Sequence, residues 1–196
     1  MRRSIRALVA VAALASVALA TGIGVALATG GDERSGRHAV TVLRNADGDR
    51  VGVAFFRERR DKVTVSASVW RVEPGFHGFH VHTVGVCEPP FTSAGGHYNP
   101  AGADHPDHAG DLPSLLVNED GKGELRFTTD RFSVRDLLEG DGSALMVHEG
   151  RDNFANIPDR YQQGDSGVYG PDDETLDTGD AGDRFACGVV GRIGRD

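Results

Sequence analysis

From His38 onward the chain breaks into short runs of alternating apolar and polar residues set between turn residues, and this period of two admits little besides β-strands. Successive side chains of a strand face opposite ways, so such alternation marks a sheet with one buried face. Strands are predicted at 38–43 (HAVTVL), 51–56 (VGVAFF), 63–72 (VTVSASVWRV) and 76–84, and again at 115–118, 124–127, 144–148 and 185–191. Asn45-Ala46-Asp47-Gly48 and Pro74-Gly75 supply turns, and Asp120-Gly121-Lys122-Gly123 a hairpin. Only the stretch from Ser133 to Leu138 suggests a helix, because Ser133 and Asp136 stand at capping-box spacing. Eight short strands with glycine-rich turns predict an all-β antiparallel sandwich or barrel. Two stretches, 85–112 and 150–182, show no periodicity, and loops of that length in a compact domain are usually functional.

Ahead of this domain stand Arg2, Arg3 and Arg6, then an uncharged apolar run over 7–28. A positive start, an apolar run and small-residue patterns at Ala18-Leu19-Ala20 and Ala26-Leu27-Ala28 describe a secretory signal. The expectation is therefore a signal at 1–28, a flexible tether at 29–37 and a domain at 38–196. A retained leader would be the only membrane anchor, since the run is long enough to span a bilayer. Either way the domain is exported. Loss of the leader's three arginines takes the formal charge from −8 to −11, which excludes a basic face for nucleic acid. In an oxidising compartment the two cysteines, Cys87 and Cys187, read as one long-range disulfide.

Seven of the eight histidines lie between 77 and 148. His80 and His82 share one strand face and can reach one metal, and His148, at the end of another strand, can complete the set. His97 lies in the first long loop within Gly95-Gly96-His97-Tyr98. His105, His108 and Asp111 follow at three-residue steps, and with His97 they make a donor set suited to closed, tetrahedral, structural zinc. His77 would face away from His80 and is expected to serve as a structural hydrogen-bonding residue. His38, beside the tether, is expected at an exposed strand edge.

GFHGFHVH at 75–82, SAGGHYNP at 93–100, HAGDLPSL at 108–115, MVHEGRDNFANIP at 146–158 and TGDAGDRFACGVVG at 178–191 resemble copper/zinc superoxide dismutase. The DNFANIP stretch is similar to the bacterial exported branch, and the likeness runs from about Arg37 to Gly191. The resemblance implies an eight-stranded Greek-key β-barrel, a flattened sandwich with two long functional loops. It implies copper on His80, His82, His97 and His148, and zinc on His97, His105, His108 and Asp111, with His97 bridging the two. Cys87–Cys187 would be the family disulfide, Arg184 the arginine beside copper, and Asp152 the carboxylate bonding ligands of both metals. The activity implied is superoxide dismutation by a two-step copper cycle, in which His97 leaves copper on reduction, takes up a proton and can return it. Arg184 and His97 are thus the catalytic residues expected, and superoxide, a small anion, the partner; a homodimer is one possible assembly, and the sequence does not fix the oligomeric state. An acidic protein acting on an anion needs a local positive charge, and Arg184 can supply it.

The sequence departs from the family in two places. Only two residues separate His105 from His108, fewer than in most members. The segment before Arg184 carries Asp172, Asp173, Glu174 and Asp177, with no lysine between Asp152 and Asp183, so steering is either weaker here or falls to residues elsewhere such as Arg151 or Arg160. Two other readings follow from the same residues: a non-catalytic copper/zinc-binding protein, which needs no arginine at copper, and a metallohydrolase, which needs a general base at an open zinc site.

Overall fold

The computed structural model describes residues 37–193. The expected signal at 1–28, the tether at 29–37 up to its last residue, and the final residues 194–196 lie outside them. Three antiparallel strands open the fold: β1 (His38–Asn45), β2 (Arg50–Arg59) and β3 (Lys62–Trp70). In β3, Val63, Val65, Ala67 and Val69 are buried while the residues between them are not, as one-faced alternation requires. Arg60 and Asp61, joining β2 to β3, take φ of 48° and 59°, the left-handed pair of a two-residue hairpin whose twist matches its strands.

The other strands are β4 (Gly75–His77), β5 (Phe79–His82), β6 (Leu115–Val117), β7 (Lys122–Thr129), β8 (Ala144–His148), β9 (Arg184–Val189) and β10 (Gly191–Arg192). Their order in space is β4-β6-β7-β3-β2-β1-β9-β8-β5, with β10 also on β1. Its two ends, β4 and β5, are separated in the chain by Gly78 alone, so the sheet curls until its edges nearly meet. Counting β4 with β5 and β9 with β10 as interrupted strands leaves the eight strands of a Greek-key barrel, with β3 lying beside β7 instead of β4. Leu43, Phe56, Phe79, Leu115 and Leu145 are among the side chains that fill the interior.

The interruptions correct the sequence reading of single strands at 76–84 and 185–191. Gly78 N–H donates to Gly150 O, and Gly78 O accepts from His148 N–H, so the ribbon exchanges β6 for β8 as its partner there. A Cβ on Gly78 would stand 2.6 Å from the Ala181 Cβ. The expected helix from Ser133 shrinks to one 3-10 turn, Asp136–Leu138, although Ser133 and Asp136 do exchange hydrogen bonds between backbone N–H and side chain. His38 is exposed as expected, but its strand is no edge: it pairs with Arg57 of β2, and β10 and β9 run along the other side of β1.

One helix, α1 (Asp173–Thr178), was not foreseen. The residues read as an acidic loop are its start: Asp172 accepts from Thr175 N–H as the cap, Asp173 and Glu174 fill the first turn, and Gly179 closes it with φ 66°. No helix among the described residues is long and apolar enough to cross a membrane.

Candidate metal centre

Two strands and two loops carry the candidate donors inward. β5 pairs with β8, so His80 and His82 lie in the strand beside the one that ends at His148. The first long loop folds back on β5: Tyr98 N–H donates to Val81 O, Val81 N–H donates to Gly110 O, and His97 comes opposite His82. All six histidines and Asp111 are buried.

His82, His148 and His80 each spend one nitrogen on the protein and leave the other free, which fixes the tautomer. His82 Nδ1–H donates to Gly95 O at 2.9 Å, and His148 Nδ1–H donates to Gly182 O at 3.0 Å. His80 Nε2–H donates to Asp152 Oδ2 at 2.7 Å. The free nitrogens left over, with His97 Nε2, converge: His148 Nε2 and His82 Nε2 are 3.4 Å apart, and donor atoms of the four residues lie within 4.8 Å of one another. Among the described residues His80 Nδ1 and His97 Nε2 are buried without a hydrogen-bond partner. Buried ring nitrogens without partners are costly, and a metal ion accounts for them. The residues fit copper, which takes imidazole nitrogen readily.

His97 turns its other nitrogen to the second group. Its Nδ1 stands 2.8 Å from Asp111 Oδ1 and 3.3 Å from His108 Nδ1. His105 Nδ1 and His108 Nδ1 lie 3.1 and 3.3 Å from Asp111 Oδ2, neither with the alignment of a hydrogen bond. Three Nδ1 atoms thus lie about one carboxylate, donor types that fit zinc. The group whose donor atoms all lie within 4.8 Å of one another holds His80 in place of His108, with His97, His105 and Asp111. His80 has only one nitrogen left after Asp152, however, and its ring lies at 5.0 Å from that of His148 on the other side.

Asp152 joins the two groups, with Oδ2 on His80 Nε2 and Oδ1 2.9 Å from His105 Nε2. Oδ1 also accepts from Phe154 N–H at 2.7 Å, so the DNF turn and the bridge between histidines are one structure. The unforeseen helix supports this bridge. Leu176 O accepts from His105 N–H, and Gly179 passes so close that a Cβ there would strike the Asp152 carboxylate and His105 Nε2. Its signal was present in the sequence as an Asp172 cap followed by a closing Gly179. His77 stands apart, its Nδ1 2.8 Å from His148 O and its Nε2 2.8 Å from Glu73 O.

Arg184, at the start of β9, lies across from His148. Its two terminal nitrogens donate to Phe91 O at 2.6 Å and to Gly95 O at 2.7 Å, the second being the carbonyl that orients His82. The Cys87–Cys187 disulfide ties this loop to β9, three residues beyond Arg184. Arg151 and Arg160 are both exposed on the second long loop, and Arg160 lies over the Tyr161 ring.

Burial keeps the rings of His82, His97 and His148 neutral. It is the main cause that takes His97 down to about 4 and His148 to about 3, and that lowers His82 well below its usual value; neighbouring histidines push the same way. His105 goes the other way. Burial pulls it down, but the Asp111 and Asp152 carboxylates beside it outweigh that and raise it to about 9. Burial disfavours both carboxylates as anions, yet their bonds to histidine hold them below the usual carboxylate range.

These donors define a class first: a β-barrel whose buried histidines form two adjacent groups able to hold metal ions. Residues 50–190 match the family model of copper/zinc superoxide dismutase, and the chain belongs to that family. It is 46% identical over 180 residues to a Cu-Zn superoxide dismutase of Mycobacterium tuberculosis, covering 83% of this chain and 75% of that one. Against an extracellular Cu-Zn superoxide dismutase of Onchocerca volvulus it is 38% identical, covering 79% and 76%. Among solved structures it is similar to a SOD-like protein from Bacillus subtilis, at TM-score 0.62 and 30% identity, covering 76% of this chain and 96% of the other.

Proposed function

We propose that this chain dismutates superoxide, with copper held by His80, His82, His97 and His148 and zinc by His97, His105, His108 and Asp111. One observation carries the reading: four buried imidazoles offer free nitrogens to one point, one of them also facing a carboxylate-containing set, with a guanidinium alongside. Copper, when bound, supplies the redox cycle by which one superoxide becomes dioxygen and a second becomes hydrogen peroxide. The rest falls to the protein. Arg184 offers a fixed positive charge to an anion in a protein of net charge −8. His97 Nε2 can hold a proton when it is not a ligand. The burial that keeps His82, His97 and His148 neutral also leaves their lone pairs available at neutral pH.

Copper and zinc counted separately, beside a superoxide-consumption assay, test this reading. Copper with activity supports it, copper without activity points to a carrier, and zinc alone with hydrolysis points to a metallohydrolase. The first zinc histidine has its own test. His105→Ala is expected to weaken zinc binding severely while copper stays bound; undiminished zinc removes His105 from the set.

Zinc binding should also depend steeply on pH. Below about 9 His105 carries a proton that zinc must displace, whereas His97 stays neutral down to about 4. Loss of that proton on binding makes zinc affinity rise with pH and level off above about 9. Competition with a chelator of known pH dependence measures the slope, and a flat profile would contradict the assignment.

Export is supported by the disulfide and by the extracellular relatives. Within this proposal residues 1–28 are the export signal, 29–37 a tether and 38–196 the enzyme, with membrane attachment only through a retained leader. A second copy would cover the exposed apolar side chains Val42, Phe55 and Val189 on β1, β2 and β9.

A further inference from the structure

We propose that Arg131 is a positioning residue for the zinc side, bracing a loop too short to hold both of its histidines in place alone. The inference rests on the zinc reading above. Arg131 lies just past the end of β7, where its backbone N–H donates to Thr129 Oγ1 at 3.1 Å. Its Nη1 donates to Pro106 O at 2.9 Å and to His108 O at 3.1 Å, and its other terminal nitrogen lies 3.6 Å from Asp107 Oδ1. One guanidinium therefore engages Pro106, Asp107 and His108 in succession, the whole stretch that follows His105.

The spacing explains why this matters. His105 and His108 must bring two Nδ1 atoms to the same Asp111 oxygen, at 3.1 and 3.3 Å, across only two intervening residues. Pro106 cannot help from within the loop, because it has no N–H to donate. Two carbonyls captured by a single nitrogen are held to a fixed separation, and that closes the turn. His108 N–H then donates to Asp111 Oδ2 at 3.0 Å, which secures the inner side of the loop as Arg131 secures the outer. A planar guanidinium presents donors in a rigid fork, which the single ammonium of lysine does not. Arg131 lines a surface cleft of about 480 Å³ with Asp111 and Phe154, and its side chain is 42% exposed. Its removal leaves the apolar interior intact.

Zinc and copper affinities of the mature protein, each measured with the metal alone by chelator competition, test the proposal. Arg131→Ala should weaken zinc roughly 10–100-fold, the usual effect of losing a group that orients a ligand, with copper affinity within twofold of the parent. Arg131→Lys should recover part of the loss. Asp107→Ala, which removes only the outer ion pair, should change zinc affinity less than threefold. Cobalt bound in place of zinc gives a spectroscopic check, its visible bands broadening in Arg131→Ala as the histidines lose their fixed geometry. Zinc affinity unchanged in Arg131→Ala overturns the proposal. So do equal losses for both metals, which would make Arg131 a support of the barrel. If His105→Ala also leaves zinc affinity unchanged, the failure lies in the zinc assignment itself.

Discussion

Arg184→Glu is expected to lower the rate of superoxide consumption by roughly 10–1,000-fold with copper and zinc still bound, the range over which a local field accelerates capture of an ion. The native guanidinium is the positive charge beside His82 and His148, and it sits in an acidic protein. A carboxylate there would repel the substrate. It would also face the Phe91 and Gly95 carbonyls, which now accept from Arg184. Two further variants separate these effects. Arg184→Gln removes charge and keeps a donor, and Arg184→Lys keeps charge and loses the fork. If charge governs the rate, lysine stays nearer the native enzyme than glutamine does, and added salt slows the native protein more than the glutamine variant. A native rate in Arg184→Glu, with copper content confirmed, would exclude Arg184 from the mechanism.

Replacing both cysteines, as Cys87→Ser with Cys187→Ser, should cost about 2–5 kcal/mol of stability, because the bond closes a loop with a sequence separation of 100. In a domain of this size that lowers the melting temperature by roughly 10 °C. The same change should slow turnover at full copper content. Phe91 and Gly95, whose carbonyls fix the Arg184 fork, stand in the loop that the disulfide fastens to β9. Calorimetry and a metal-normalised rate read the two effects separately. An unchanged melting temperature would show that the bond adds nothing to the fold.

Much of the barrel was legible because alternation is a local signal. Val63 to Trp70 announces itself residue by residue, and the His80–His82 step puts both imidazoles on one face of their strand. The split at Gly78 was not legible, since it arises where the ribbon changes partners, and no residue near Gly78 encodes the approach of Ala181. Helix α1 was missed for another reason. Its cap and closing glycine were visible, but six residues give too little apolar periodicity to outweigh an acidic composition. Among the site residues, Asp152 could be picked out by its offset from His148. Gly179 and Arg131 could not, because each acts through contacts with segments far away in sequence.

Asp152 holds His80 with one oxygen and His105 with the other, and His97 faces both groups. Two sites built on shared parts cannot have independent affinities. Whatever factor occupancy of one adds to the affinity of the other must be returned in full, because coupling of binding free energies is reciprocal. The order in which the metals arrive can therefore change the rate of loading but never the final state. Any substitution that loosens the Asp152 bridge should appear as a weaker dependence of each metal on the other before it appears as loss of either.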